Sequence, residues 1–534
     1  MSRRHGRGKE KLDLADLAAA LRLLGRVAED RTVLADVDAE TRVALQRLAG
    51  EVARPDLRKR KKLQKALLRS EHAARSARDQ ALRKGAGIRK LREAPVFAAP
   101  LPPLPPPGTD ASAWWPRLPA DGPERAAADG GRTEAPDLAE PRKCYVCKVP
   151  YRRLHRFYDQ LCPACGAENE ARRAATADLR GRVALVTGAR VKIGYHAAVM
   201  LLRAGCSVVA LTRFPRDAAA RYAREPDFAA WKDRLSIYGV DLRHTPGVEV
   251  LCRRLDSALP RLDFQLHNAC QTVRRPPGFY AHLVEAEGAP LSALPPVARP
   301  LVRDYEGLRA EVLHRRSAAG VATPALLSQA GSEADLLLPG KAGLELFPRG
   351  VLDQDLQQVD LRTHNSWRLA LHEVPTLELL EVLLVNATGP FVLTARLKPL
   401  MLRVREAPKG TATSADPAKH VVLVSAMEGQ FYREHKTWRH PHTNMAKAAL
   451  NMLVRTSAAD LARDGIHLNA VDTGWVTDED PLHLAARKAE EHAFSPPLDV
   501  VDGAARIVAP IFEGFRTGKH AAGLFYKDYR PAPW

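Results

Sequence analysis

The chain has 534 residues, enough for more than one core, and its 81 Lys and Arg against 62 Asp and Glu give a formal net charge of +19. That balance calls for an anionic partner, which nucleic acid and the phosphates of a nucleotide cofactor would both satisfy. No apolar run approaches the ~18 residues of a membrane helix, and no apolar segment with a cleavage site stands at the N-terminus, so a cytoplasmic protein without membrane contact is expected.

Residues 1–93 are rich in Ala, Leu, Arg, Glu and Asp with apolar positions at helical intervals, which predicts a basic helical region. Arg58, Lys59, Arg60, Lys61 and Lys62 form a basic run inside it. A contact with nucleic acid or a partner protein and a solvated helix face both fit such a run. Residues 94–141 shift to Pro, Ala and Gly, as in "APLPPLPPPG", a composition that favours extended conformations and predicts a linker.

The segment 142–172 contains Cys144, Cys147, Cys162 and Cys165 in two C-x-x-C pairs. Each pair can take adjacent corners of a tetrahedron, so the four thiolates predict a closed and therefore structural Zn²⁺ site, with four free thiols as the plainer alternative. The Tyr, Phe and Arg residues between the pairs suit docking onto the following domain, and would also suit nucleic acid. The other three cysteines, Cys206, Cys252 and Cys270, are expected to be structural.

From residue 178 to 534 the chain reads as an α/β domain. Val183 to Val186 is an apolar run of the kind a buried parallel strand needs; a glycine-containing turn, an amphipathic helix and a second strand come after it. This strand, turn, helix and strand unit places a pyrophosphate at a helix N-terminus. The turn Thr187-Gly188-Ala189-Arg190-Val191-Lys192-Ile193-Gly194 resembles the T-G-x-x-x-G-I-G turn of the short-chain dehydrogenase/reductase family, with Lys192 in place of the middle glycine. "YGVDLRH", "HNAC", "VNATGPF", "VVLVSAMEG" and "HLNAVDTGWVT" resemble later landmarks of that family in the family's order.

The resemblance implies a Rossmann-type doubly wound parallel sheet, preceded by the zinc module and the helical region, and a homo-oligomer. It implies a dinucleotide held by Thr187, Gly188, Arg190, Lys192, Ile193, Gly194, Arg213, Asp241, Leu242, Asn268, Ala269, Gly474 and Lys447. Arg213 stands where NAD users carry an acid, which favours NADP over NAD, and Arg216 could assist it. Residues 272–376 lie where the family has a short connection, so they read as an insertion, either a substrate cap or an oligomer contact.

The family's working group is Ser, Tyr and Lys, usually with Asn; the Lys lowers the Tyr pKa from ~10 so that the phenol can exchange a proton with substrate. This chain keeps Asn386 and Lys447, places Ser425 on the non-catalytic Ser, and has Ala426 and Thr443 where the catalytic Ser and Tyr would be. A Thr hydroxyl is too weak an acid to replace a phenol, so His442 is the first candidate for the proton and Tyr432 the second, with His440 nearby. Asp478, Glu479 and Asp480 suggest a cationic substrate or a solvated loop. The sequence thus supports two functions: an NADP(H)-dependent oxidoreductase acting on an unknown small carbonyl or alcohol, or an inactive NAD(P)-binding sensor or scaffold that engages nucleic acid or protein.

Overall fold

The computed structural model describes residues 13–94, 97, 137–314, 319–327, 345–403, 416–433, 436–492 and 494–534. Nearly all of the expected linker and part of the insertion lie outside these residues. The chain divides into two compact units, Met1–Arg78 and Asp79–Trp534.

The first unit is helical. Asp13, Asp38 and Asp56 each accept a backbone N–H near the start of the helices Leu14–Glu29, Ala39–Ala53 and Leu57–Lys84. Such carboxylate caps satisfy donors that the helix leaves unpaired. Leu34 is buried, whereas Leu14, Leu17, Leu21 and Leu24 of the first helix are exposed. Arg58 through Lys62 are all exposed.

The second unit begins at Asp79, so the last residues of the expected helical region belong with the cysteine module and the sheet domain. Asp79 accepts the N–H groups of Ala139 and Glu140. The short helix Gly87–Glu93 is tied to the cysteine module by hydrogen bonds from Gly87 N to Arg156 O and from Ile88 N to Phe157 O. The module starts earlier than composition suggested, because β1 (Asp137–Lys143) pairs antiparallel with β2 (Pro150–Arg153).

The rest is an eight-stranded sheet. In chain order its strands are β3 (Val183–Thr187), β4 (Ser207–Thr212), β5 (Leu235–Gly239), β6 (Phe264–His267), β7 (Lys419–Ser425), β8 (Ile466–Asp472), β9 (Phe525–Lys527) and β10 (Arg530–Ala532). They lie in the order β10-β9-β8-β7-β6-β3-β4-β5, parallel except for the antiparallel β10. The chain winds outward from β3 to β5 and then returns to build the other half from β6. This reversal leaves a crevice at the carboxyl ends of β3 and β6, where ligands bind in such sheets.

Period-two alternation explains the layers. Ala184 and Val186 of β3 and Val422 and Val424 of β7 enter one core, against the helices Lys192–Arg203 and Val500–Thr517. Val183, Leu185, Val421 and Leu423 enter the other, against Thr245–Ala258, Gly389–Leu402 and Pro441–Arg463. Both faces are covered, so the strands are mostly apolar, with Gln265, His267, His420 and Asn469 among the buried polar exceptions. One helical stretch, Thr376–Leu402, passes for a membrane span by length and composition only; Glu378, Glu381, Arg396 and Lys398 interrupt it. Leu393, Leu397, Leu400 and Met401 of this stretch are buried in the second core.

Candidate functional site

A cleft of about 1230 Å³ opens at the carboxyl ends of the strands. Its walls bring together Thr187, Gly188, Arg190, Lys192, Ile193, Arg213, Asp241, Leu242, Asn268, Ala269, Ser425, Lys447 and Gly474.

The phosphate turn has the conformation its sequence pattern requires. Gly188 has φ +66°, and Lys192 also sits in the left-handed region at φ +55°, the conformation that glycine would adopt without strain. A Cβ on Gly194 would lie 2.4 Å from the Gly188 carbonyl oxygen and 2.3 Å from Asn268 Nδ2, so only glycine fits there. Thr187 Oγ1 accepts the Ala269 N–H at 2.9 Å, which ties β3 to the segment after β6. The helix Lys192–Arg203 has no side-chain cap, and Val191, Lys192 and Ile193 line the cleft. Its first amides and its dipole therefore suit a pyrophosphate. Lys192 Nζ is 3.8 Å from Asp355 of the insertion, and Arg190 is paired with Asp217 at 2.8 Å.

At the adenosine end, Arg213 donates to the Tyr280 hydroxyl at 2.9 Å and lies 4.6 Å over that ring. Burial raises the Tyr280 phenol, but Arg213 and the further arginines outweigh it and hold it below its usual value. Arg216 turns away from the cleft to pair with Glu306 at 2.9 Å. Asp241, expected to meet adenine, is bound by Arg243 at 2.6 Å, and Arg243 also holds Glu381 at 2.7 Å.

The reacting end differs from expectation. Lys447 Nζ donates to the Val424 carbonyl at 2.6 Å, and Ser425 Oγ donates to Asn451 Oδ1 at 2.6 Å. Asn386 lies in a π-helical turn, Leu384–Thr388, where it accepts the Gln271 N–H at 2.7 Å and donates to the Gln271 carbonyl. It fixes the segment after β6 and is not among the cleft's lining residues. Thr443 is buried, with no hydrogen bond to Oγ1 among the described residues, and does not line the cleft.

Neither leading proton candidate reaches the cleft. His442 is 1% exposed, with Nε2 3.4 Å from Glu378, because the helix Pro441–Arg463 turns that position inward. Tyr432 is 98% exposed on a surface loop. His440 does line the cleft: it has φ +42°, immediately precedes the helix, and stacks on Trp367 with ring centroids 3.9 Å apart. Burial pushes its pKa down to about 4, so it is neutral at pH 7.

Other residues of the cleft were not foreseen. Tyr145 and Lys148 enter from the cysteine module, Lys527 from β9, and Asp353, Gln357, Asp360 and Trp367 from the insertion. Cys270, expected to be structural, also lines it. Strand register alone puts Ser425, Asp472 and Lys527 in one row. The acidic loop is partly balanced from within the protein: Lys488 pairs with Asp478 at 2.5 Å and Asp480 at 3.0 Å, and Arg368 with Asp480 at 3.4 Å, while Glu479 accepts the Thr477 hydroxyl.

The four module thiols have their sulfurs within 4.8 Å of one another, and Cys147 and Cys162 are 3.7 Å apart. Four thiolates at ~2.3 Å from one Zn²⁺ would stand ~3.8 Å apart, so the donor set fits a tetrahedral ion. His155, between the two cysteine pairs, turns toward Glu170 and the backbone N–H groups of Phe157 and Tyr158. The module docks on the sheet domain through buried polar contacts: Tyr158 donates to Asp502 at 2.5 Å, and Arg173 pairs with Asp499 and Asp502.

Fold and cleft together define a dinucleotide-binding protein of the Rossmann type. A family model described as Enoyl-(Acyl carrier protein) reductase matches residues 364–493. An uncharacterized protein of Acanthamoeba polyphaga mimivirus is 30% identical over 385 residues, 70% of this chain and 71% of that one. Among solved structures, the Pseudomonas aeruginosa RhlG/NADP active-site complex is 18% identical, covers 65% of this chain and 94% of its own, and has a TM-score of 0.37. A short-chain dehydrogenase from Streptomyces avermitilis is 16% identical, covers 62% and 83%, and has a TM-score of 0.35. Those superpositions are partial, and the assignment rests on the topology, the ordered motifs and the family match. The chain belongs to the short-chain dehydrogenase/reductase family, as a divergent member.

Proposed function

We propose that the protein is an NADP(H)-dependent oxidoreductase acting on a carbonyl or alcohol substrate, with His440 in the place of the usual tyrosine. The supporting observation is that the phosphate turn, Arg213, Lys447 and His440 all line one cleft. A bound nicotinamide would supply hydride exchange. The residues of the chain would do the rest: the uncapped helix amides and Lys192 face the phosphates, and Arg213 offers a planar donor fork to a 2′-phosphate. The neutral His440 imidazole would accept a proton from an alcohol, a role that its low pKa favours over donation at pH 7.

Titration of the purified chain with NADPH and NADH, followed by absorbance assays of NADPH and NADP with carbonyl and alcohol panels, tests this reading. Tight NADPH binding, turnover, and a loss of kcat of about 100-fold in His440→Gln are expected. Failure to bind either dinucleotide would refute it.

A second reading has its own support. Ala426, the buried Thr443 and the Lys447 ammonium held on a backbone carbonyl suit a domain that binds dinucleotide without turnover. The exposed basic run 58–62 would then serve an anionic partner. NADPH binding without turnover, together with RNA or DNA retention that weakens steeply with salt and is lost in a variant with Lys59, Arg60, Lys61 and Lys62 changed to Ala, would favour it.

A further inference from the structure

The cysteine module forms part of the wall of the dinucleotide cleft. We propose that Tyr145, which lies between the metal ligands Cys144 and Cys147, is a positioning residue for the cofactor site, and that metal occupancy sets dinucleotide affinity through it. The inference rests on the dinucleotide reading above.

The contact is specific. The Tyr145 hydroxyl oxygen accepts the Trp475 backbone N–H at 2.9 Å. A Cβ on Gly474 would lie 3.3 Å from that oxygen and 2.5 Å from Leu498, so the phenol is seated directly against the turn that follows β8. Gly474 has φ +78° and donates its N–H to Asp472 Oδ1 at 2.7 Å, while Asp472 also holds Lys527 Nζ at 3.0 Å. The turn is thus pinned by β8 and β9 on one side and by Tyr145 on the other. It carries Gly474, Trp475 and Val476 along the cleft.

Tyr145 is itself fixed by the knuckle that carries the metal ligands. Its N–H donates to Gln160 O at 2.9 Å, and Lys148 donates to its carbonyl and lies 4.8 Å over its ring. Lys148 has φ +62°, which closes the knuckle so that its N–H reaches the Cys144 carbonyl at 3.1 Å. The body of the module is anchored independently through Tyr158 and Arg173, whereas Cys147 is exposed and its sulfur meets the other thiols through a 3.7 Å contact with Cys162, which a shared ion would replace by a bond. Loss of the ion would therefore free the knuckle, and Tyr145 with it, while the module stays docked.

The test uses the full-length protein with NADPH as probe. Tyr145→Phe keeps the ring beneath Lys148 and removes the acceptor for Trp475 N–H. It should weaken NADPH binding by up to about tenfold, the effect of one hydrogen bond, with zinc content and melting temperature unchanged. Chelation of the wild-type protein should weaken binding at least as much, and chelation of Tyr145→Phe much less, because the contact is already gone. Wild-type affinity in Tyr145→Phe, or equal sensitivity of both proteins to chelation, would overturn the inference. So would loss of zinc or of melting temperature in Tyr145→Phe, which would mark the residue as structural. No NADPH binding by the zinc-loaded wild type would overturn the dinucleotide reading, and this inference with it.

Discussion

On the proposed NADP(H) reading, the choice of cofactor would fall to a single side chain, Arg213. It lines the cleft beside β4, 4.6 Å over the Tyr280 ring and hydrogen-bonded to its hydroxyl, so its fork is held in place before any ligand arrives. A charge-assisted hydrogen bond to a 2′-phosphate is worth about 1.5–3 kcal/mol. Arg213→Glu is expected to weaken NADPH binding by at least tenfold and leave NADH binding little changed; parallel calorimetric titrations would show it. This position was readable from sequence because it immediately follows a strand whose apolar run marks its end. The proposed proton acceptor was not. His440 and His442 differ by two residues, and only the left-handed turn at His440 decides which of them meets the cleft. Tyr145 was hidden differently: it lies more than 300 positions from Trp475, and no local pattern announces that contact.

At the scale of elements, the phosphate turn and the strands were legible because their constraints are local. Five consecutive buried residues make β3, and Gly194 is demanded by atoms of its own turn and of Asn268. Gly194→Ala would push a methyl group against a backbone oxygen at 2.4 Å, where no flexible side chain can yield. Such overpacking costs about 1–3 kcal/mol, and the turn must open to relieve it. A lower melting temperature and loss of NADPH binding are expected, with zinc content retained because the module does not touch Gly194. The insertion was less legible. Sequence order placed it beside the carboxyl ends of the sheet, and Asp353, Gln357, Asp360 and Trp367 do line the cleft. Its contacts with Arg190, Lys192 and Arg221 at the phosphate end join residues too far apart in sequence for any periodicity to show. The module's docking was foreseen from its aromatic and basic residues, but its partners, Asp499 and Asp502 at the start of a distant helix, were not. Tyr158→Phe removes one hydrogen bond to the buried Asp502 carboxylate, which keeps Arg173 and the Asp499 N–H, and should cost about 1–3 kcal/mol, measured by denaturant unfolding.

For the molecule as a whole, buried histidines set the response to acid. Burial lowers His267 to about 3 and His196 and His440 to about 4, and it drives His420 well below its usual value, with His520 and His467 adding to the effect. In the unfolded chain each would titrate near ~6.5. Below that pH the unfolded state binds protons that the folded state refuses, so the stability present above pH ~6.5 is lost as pH falls toward the folded values. Each group contributes about 1.4 kcal/mol per pH unit in that window. Glu287 acts in the opposite sense: burial raises it to about 7, so its contribution is present below ~4.5 and is lost as pH rises through 7. Asp355 and Asp502 are also raised, chiefly by burial, and share that sign. Four lowered histidines against Glu287 across most of this range leave acid destabilising on balance. The carboxylates held low by arginines, Asp217 and Asp241 among them, add to the loss only at more acid pH. The melting temperature is therefore expected to fall between pH 7 and pH 5, before the arginine-held carboxylates protonate. In His267→Asn, which removes one buried imidazole hydrogen-bonded to Thr394, the fall should be shallower by about one proton's share. A melting temperature that stays flat to pH 5, or identical slopes in the two proteins, would contradict this account.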